Sequence, residues 1–182
     1  TGLYTKYSNT IKVAKEVVGI NPAYNTFATM HILNTKKGIY YIADTLINRH
    51  PNDSVLYDVA RLAAHSVSFF NDEPVMAMIS YSNFGTDEVG SPVTVHQAVE
   101  RLQKDYPDMA VDGEMQVSFA LNKELRDDKY PFTRLKGKDV NTLVFPNMSS
   151  ANSCYMLLKG LNPEVKVIST KKKFVYKPIY YG

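Results

Sequence analysis

The stretch Met109-Ala-Val-Asp-Gly-Glu-Met-Gln-Val-Ser-Phe-Ala120 decides the fold. A short apolar run over residues 109–111 turns polar at Asp112, Gly113 and Glu114, and a helix-like pattern follows. Two other segments share this layout. Val75-Met-Ala-Met-Ile-Ser-Tyr-Ser-Asn83 and Thr142-Leu-Val-Phe-Pro-Asn-Met-Ser-Ser150 are apolar strands whose carboxyl ends become small and polar. Three such strands predict one shared ligand crevice at the carboxyl edge of a parallel sheet.

The rest of the chain continues the alternation. Ser8 or Asn9 caps a helix to about Val18, with Gly19 as its stop. Residues 27–34 and 39–44 are β-rich and joined by Lys36-Lys37-Gly38, which reads as a hairpin. Asp53 or Ser54 then caps a long helix to about Phe70, with Val55, Leu56, Val59, Leu62, Ala63 and Val67 at helical spacing. Strands are expected at 75–79, 109–111, 142–145 and 165–168, and helices at 94–105, 115–125 and 150–159. This order predicts a three-layer α/β/α architecture, a mostly parallel sheet with helices on both faces and an antiparallel hairpin. The tail from Thr170 to Gly182 is rich in Lys and Tyr and carries few turn signals.

Composition narrows the function. The chain has 182 residues, 45% of them hydrophobic, enough for one sizeable core. A net charge of +3 is too mild to argue for nucleic acid, and the basic residues are scattered except at Lys171-Lys172-Lys173. No apolar run reaches the length of a membrane span and no signal peptide opens the chain. The single cysteine, Cys154, excludes an internal disulfide, and a cytoplasmic protein is expected. The chain opens on Thr1 without an initiator methionine, as an excised domain would.

Ser80, Ser82 and Asn83 open a long loop, Ser80-Tyr-Ser-Asn-Phe-Gly-Thr-Asp-Glu-Val-Gly-Ser-Pro92. Hydroxyls and backbone N–H groups in such a loop can cradle phosphate or a thioester oxygen, or they can simply satisfy turns. Asp112 and Glu114 offer acid, base or ligand chemistry. Equally, Asp112 can cap a helix starting near Met115, with Glu114 in its first turn. No second carboxylate cluster lies nearby in sequence, so no metal is expected. Asn147, Ser149, Ser150 and Asn152 start the helix after the third strand, where N–H groups favour anions, although Ser149 or Ser150 can serve only as its cap. His31, His50, His65 and His96 lack metal-ligand spacing and read as structural or solvated, and Cys154 as a small core residue. There is no Gly-x-Ser-x-Gly elbow, P-loop or Gly-x-Gly-x-x-Gly.

Four segments in order carry a resemblance: Met78-Ile-Ser-Tyr-Ser-Asn-Phe-Gly85, Pro107-Asp-Met-Ala-Val-Asp-Gly-Glu-Met-Gln116, Tyr130-Pro-Phe-Thr-Arg-Leu-Lys-Gly137 and Leu143-Val-Phe-Pro-Asn-Met-Ser-Ser-Ala-Asn152. Ala43, Asp44 and Asn48 fit the stretch after the hairpin. On these residues the sequence resembles the phosphate acetyltransferase and butyryltransferase family, in particular the version fused behind bacterial NADP-dependent malic enzymes. The match runs from about Gly2 to about Leu158. It implies an isocitrate/isopropylmalate dehydrogenase-like fold, a homodimer, and a cleft between two domains. It also implies acyl transfer between acetyl-CoA and inorganic phosphate, with no metal or further cofactor. Substrate contacts are then expected at Ser80, Ser82, Asn83, Asp112, Glu114, Asn147, Ser149 and Asn152, with Lys12 supplying a cation from across the cleft. No catalytic residue is assigned.

On this resemblance residues 1–26 are the remnant of a first half-domain, 27–169 the α/β domain, and 170–182 a divergent tail. Two departures stand out. The family carries Arg on its early helix, where this chain has Lys6, Lys12 and Lys15, which keep the charge but lose the bidentate fork. After the last helix the family continues with a Gly-Pro segment, a Ser-Arg-Gly-type motif and a downstream Asp. Here the chain runs Gly160-Leu-Asn-Pro-Glu-Val-Lys-Val-Ile-Ser-Thr-Lys-Lys-Lys173 instead. Two functions are therefore expected in competition: an acyltransferase domain of a larger chain, or a catalytically degenerate acetyl-CoA-sensing and oligomerisation domain behind a malic-enzyme domain. Neither needs nucleic acid or a membrane.

Overall fold

The computed structural model describes residues 26–162, 164–174 and 177–181, with isolated positions 9, 13, 16, 23 and 24; from 167 onward it describes backbone only. The strands are β1 (Thr29–Thr35), β2 (Gly38–Ala43), β3 (Met76–Ile79), β4 (Val111–Met115), β5 (Thr142–Val144), β6 (Lys166–Phe174) and β7 (Lys177–Tyr181). The helices are α1 (Asp53–Phe69), α2 (Ser91–Asp105), α3 (Val117–Leu121), α4 (Lys123–Lys129) and α5 (Met148–Leu161).

Successive side chains of a strand point to opposite faces, and here they enter two separate cores. Met76 and Met78 of β3, Tyr41 and Ala43 of β2, and Val144 of β5 pack with Leu56, Val59 and Val67 of α1 and Val95, Val99 and Leu102 of α2. Their neighbours Ala77, Ile79, Ile42 and Leu143 pack with Ala120 of α3 and Ala151 and Tyr155 of α5. Burying each large apolar side chain contributes about 1.5–3 kcal/mol, so two cores of this size hold a helical layer to each face of the sheet. The architecture is the three-layer α/β/α arrangement expected.

The sheet order is β4-β3-β5-β2-β1-β6-β7. β4, β3, β5 and β2 are parallel, while β1 is antiparallel to β2 and β6, and β7 to β6. Parallel neighbours need crossovers, supplied by α1, α2 and the α3–α4 pair. The hairpin closes with Thr35 opposite Gly38, whose φ of 126° suits a residue without Cβ. Arg126 of α4 is fully buried; its Nη2 donates to the carbonyls of Leu135 (2.8 Å) and Lys138 (2.7 Å). It thereby holds the segment that leads back to β5.

Several boundaries differ from expectation, each for a local reason. Asn52, not Asp53 or Ser54, caps α1: its Oδ1 accepts from Val55 N–H at 2.9 Å. α2 starts at Ser91 rather than 94, because Pro92 fits a first turn where an N–H has no helical partner anyway. The helix expected over 115–125 is broken at Asn122, whose side chain caps α4 through Leu125 N–H at 3.0 Å; Asn favours such a cap over a helix interior. β6 is longer than the run 165–168 and pairs with β1. Positions 9, 13 and 16 are helical; most of the helix expected over 8–18, with Gly19, lies outside the described residues. No described helix is long and apolar enough to cross a membrane.

Candidate functional site

The parallel register sets the carboxyl ends side by side. Ala43 pairs with Val144, and Val144 with Met78. The segments that follow these strands therefore leave the same sheet edge in a row: Gln116 after β4, Ser80–Asn83 after β3, Asn147 after β5 and Asp44–Asn48 after β2.

Asp112, Gly113 and Glu114 correct the expectation from sequence. They lie inside β4, not beyond its end, and Asp112 caps no helix. A strand can hold them because their polar groups are matched within the protein. Gly113 has φ 145°, and a Cβ there would sit 2.5 Å from the carbonyl oxygen of Met78. Only glycine allows β4 to approach β3 this closely.

Asp112 fastens a neighbouring segment. Its Oδ2 accepts from Thr133 Oγ1 (2.7 Å) and Arg134 N–H (2.8 Å), and its Oδ1 from Gln103 Nε2 (3.0 Å). Glu114 is 0% exposed. Its Oε1 accepts from Gly85 N–H at 2.7 Å and Ser82 Oγ at 3.1 Å, and its Oε2 lies 3.3 Å from His96 Nδ1. Both carboxyl groups thus work inward, against structure, rather than outward into the crevice.

The loop after β3 is laced onto the end of β4. Ser80 N–H donates to Met115 O (2.9 Å), Phe84 N–H to Glu114 O (2.8 Å), Gln116 N–H to Asn83 Oδ1 (2.9 Å) and Gln116 Nε2 to Tyr81 O (2.7 Å). Ser82 is buried, bonded to Thr86 Oγ1 at 2.9 Å and accepting from Asp87 N–H at 3.1 Å. Ser80 and Asn83 are buried as well.

Beside this loop, Asn147 caps α5, its Oδ1 accepting from Ser150 N–H at 2.9 Å. The cap is thus Asn147, not Ser149 or Ser150, since an extended residue one position before the first turn has the reach. Met148 N–H donates to Asn48 O at 2.9 Å. Ser149 is exposed, and Asn152 Nδ2 reaches Thr45 O at 3.5 Å. Asp44 organises the adjoining turn, accepting from Thr29 Oγ1 (2.6 Å), Asn48 N–H (2.8 Å) and Asn48 Nδ2 (2.5 Å). His31 Nδ1 bonds Thr45 Oγ1 at 2.7 Å, and burial, with Lys159 nearby, lowers its pKa to about 4.

The structure therefore groups Ser80, Ser82 and Asn83 with Glu114, and Asn147, Ser149 and Asn152 with Asn48 and Thr45, at adjacent positions on one edge. Asp112 stands apart, and Lys12 lies outside the described residues. Sequence reading missed His96, whose ring meets a carboxylate only through the fold; helical spacing to Glu100 was its one local signal. Thr86 was passed over within the quoted loop. Two cavities lie away from this edge. One of about 570 Å³ is beside Arg61, Tyr106 and Met109 at the amino ends of β3 and β4, and an apolar one of about 370 Å³ is between Tyr40, Leu121 and Leu158.

Comparison with known proteins adds the following. The family described as Phosphate acetyl/butaryl transferase matches residues 1–167. An NADP-dependent malic enzyme of Salmonella typhimurium is 34% identical over 179 residues, 98% of this chain and 24% of that protein. A phosphate acetyltransferase of Treponema pallidum is 31% identical over 84% of this chain and 48% of its own length. A solved phosphotransacetylase from Streptococcus pyogenes superposes with a TM-score of 0.87 at 26% identity, covering 97% of this chain and 54% of that one. The chain thus spans about a quarter of the malic enzyme and about half of the two phosphotransacetylases.

Proposed function

The chain belongs to the Phosphate acetyl/butaryl transferase family, and from that premise we propose that it forms part of a larger protein that transfers an acetyl group between acetyl-CoA and inorganic phosphate. A phosphate oxygen attacks the thioester carbonyl carbon, the C–S bond breaks, and the proton lost by phosphate ends on the coenzyme A sulfur. Such chemistry needs positioning, a polarised carbonyl and a held phosphate more than it needs a covalent enzyme intermediate. The observation that carries the reading is the shared edge, where the loop from Ser80 and the start of α5 at Asn147 leave adjacent parallel strands. Ser80, Asn83, Ser149 and Asn152 are the proposed contacts, with Lys12 as the cation, and residues 1–26 are proposed as the remnant of the first half-domain. A homodimer in the cytoplasm is the proposed working form, with acetyl-CoA and phosphate as its small-molecule partners and no further cofactor.

A second reading has its own support: the malic enzymes align over nearly all of this chain. In that reading the domain binds acetyl-CoA as a signal and holds subunits together without turnover, behind a malic-enzyme domain. The test is acetyl phosphate formation from acetyl-CoA and phosphate by the full-length parent. Turnover supports the first reading. Saturable acetyl-CoA binding without acetyl phosphate supports the second, and neither binding nor turnover removes both.

A further inference from the structure

We propose that Glu114 is a positioning residue whose carboxyl group sets the shape of the loop over residues 80–90 and never touches substrate. The proposal rests on that loop being the substrate cradle of the acyl-transfer reading. The first argument is burial: a side chain with no exposed surface cannot meet a ligand in the crevice without leaving its partners. The second is the identity of those partners. One oxygen takes both Gly85 N–H and Ser82 Oγ, fixing two points of the loop three residues apart, and the other faces His96 in the second turn of the next helix. Gly85 has φ 83° and Phe84 φ 48°, so the chain turns through the left-handed region where the carboxyl group grips it. A non-glycine residue such as Phe84 holds that conformation only when its surroundings over-determine it.

The third argument is continuity. Phe84 N–H bonds the backbone carbonyl of Glu114, and Met115 and Gln116 take Ser80, Tyr81 and Asn83 in turn. The loop is therefore tied along the carboxyl end of β4 and the residue that follows it. Through Glu114 a side chain of that strand reaches past Asn83 to the second half of the loop. Ser82, expected from sequence as a ligand contact, then acts as the bridge between Glu114, Thr86 and Asp87.

The experiment compares Glu114→Ala, Glu114→Gln and His96→Ala in the full-length parent, reading kcat and KM for acetyl-CoA and phosphate, melting temperature, and amide hydrogen exchange at residues 82–87. Misplacing a positioning group by about 1 Å costs on the order of 100-fold in catalysis. Glu114→Ala is expected to raise KM by roughly tenfold or more and to speed exchange at Gly85 by about as much. Glu114→Gln retains an acceptor for Gly85 N–H and is expected to restore both readings to within about threefold of the parent. His96→Ala, at a half-exposed position, is expected to fold normally and to show a smaller change of the same kind. If Glu114→Gln loses kcat as completely as Glu114→Ala while exchange stays slow, the carboxyl group takes part in the chemistry and the proposal is overturned. If exchange at residues 82–87 is unchanged in Glu114→Ala, the loop does not depend on it and the proposal likewise fails. Should the parent lack acyltransferase activity, the exchange readings still decide the positioning role, while the loss falls on the acyl-transfer reading.

Discussion

The imidazole of His31 lies against the ring of Tyr155, centroids 4.0 Å apart and planes 18° from parallel. The stack joins β1 to α5 across the sheet face and keeps His31 at 4% exposure. Burial disfavours the charged ring, so His31 is neutral in the fold with a pKa of about 4, against 6.5 in an open chain.

That difference predicts a pH window. Between the two values the unfolded chain binds a proton that the folded one refuses, so stability rises with pH there. Its contribution is complete above about pH 6.5 and is lost as pH falls toward 4, by at most about 3 kcal/mol. His31→Phe keeps the stack and removes the titration. Denaturant unfolding from pH 4 to 8 should show a shallower acid slope for this variant than for the parent.

Arg126→Met should destabilise by about 3 kcal/mol, because the buried Leu135 carbonyl and the part-buried Lys138 carbonyl lose a charged donor in one step. Arg126→Lys should recover little, since a compact ammonium cannot fork to Leu135 and Lys138 together. Urea midpoints at constant m-value check both.

Gly113→Ala forces a methyl group toward the Met78 carbonyl oxygen and a residue with Cβ into φ 145°. The expected cost is at least about 2 kcal/mol, and soluble yield should fall with it. A variant that melts within 1 °C of the parent would show that the two strands separate easily.

Asn147→Ala should cost about 1 kcal/mol through the lost α5 cap. Ser149→Ala, at an exposed position with no part in that cap, should leave stability within about 0.5 kcal/mol. On the proposed acetyl-CoA-binding reading it should still weaken acetyl-CoA binding by the full-length parent, measured by calorimetry, which separates a ligand contact from a helix cap.

The sheet-and-helix order was legible in sequence because short apolar runs and the 3.6-residue helical period are local signals. Residues 75–79 are apolar throughout, as a strand buried on both faces needs, and Met76 and Ala77 part between two cores. What sequence could not convey was satisfaction at a distance. Asp112, Gly113 and Glu114 read as a polar strand end leading into a helix because two carboxylates and a glycine rarely fit a buried strand. The donors that make it possible come from Ser82, Gly85, Gln103 and Thr133, far off in sequence or across a crossover. His96 read as structural or solvated, because its approach to Glu114 is likewise made only by the fold. Asn147 was expected at the start of the last helix as a ligand contact, and the structure adds that its oxygen serves α5 as the cap.

The position of β5 in the sheet bears on how the chain is made. Thr142 pairs on one side with Tyr41 and on the other with Met76, so the strand that joins β3 to β2 is the last of the parallel strands to leave the ribosome. Until then the β1–β2 hairpin and the β3–β4 pair share no strand, and the apolar faces of Tyr41 and Met76 have no neighbour between them. Non-local parallel pairing is slow to form. A nascent chain stalled before residue 142 therefore holds two half-sheets with open inner edges, the kind of surface that chaperones cover and that aggregates when left alone.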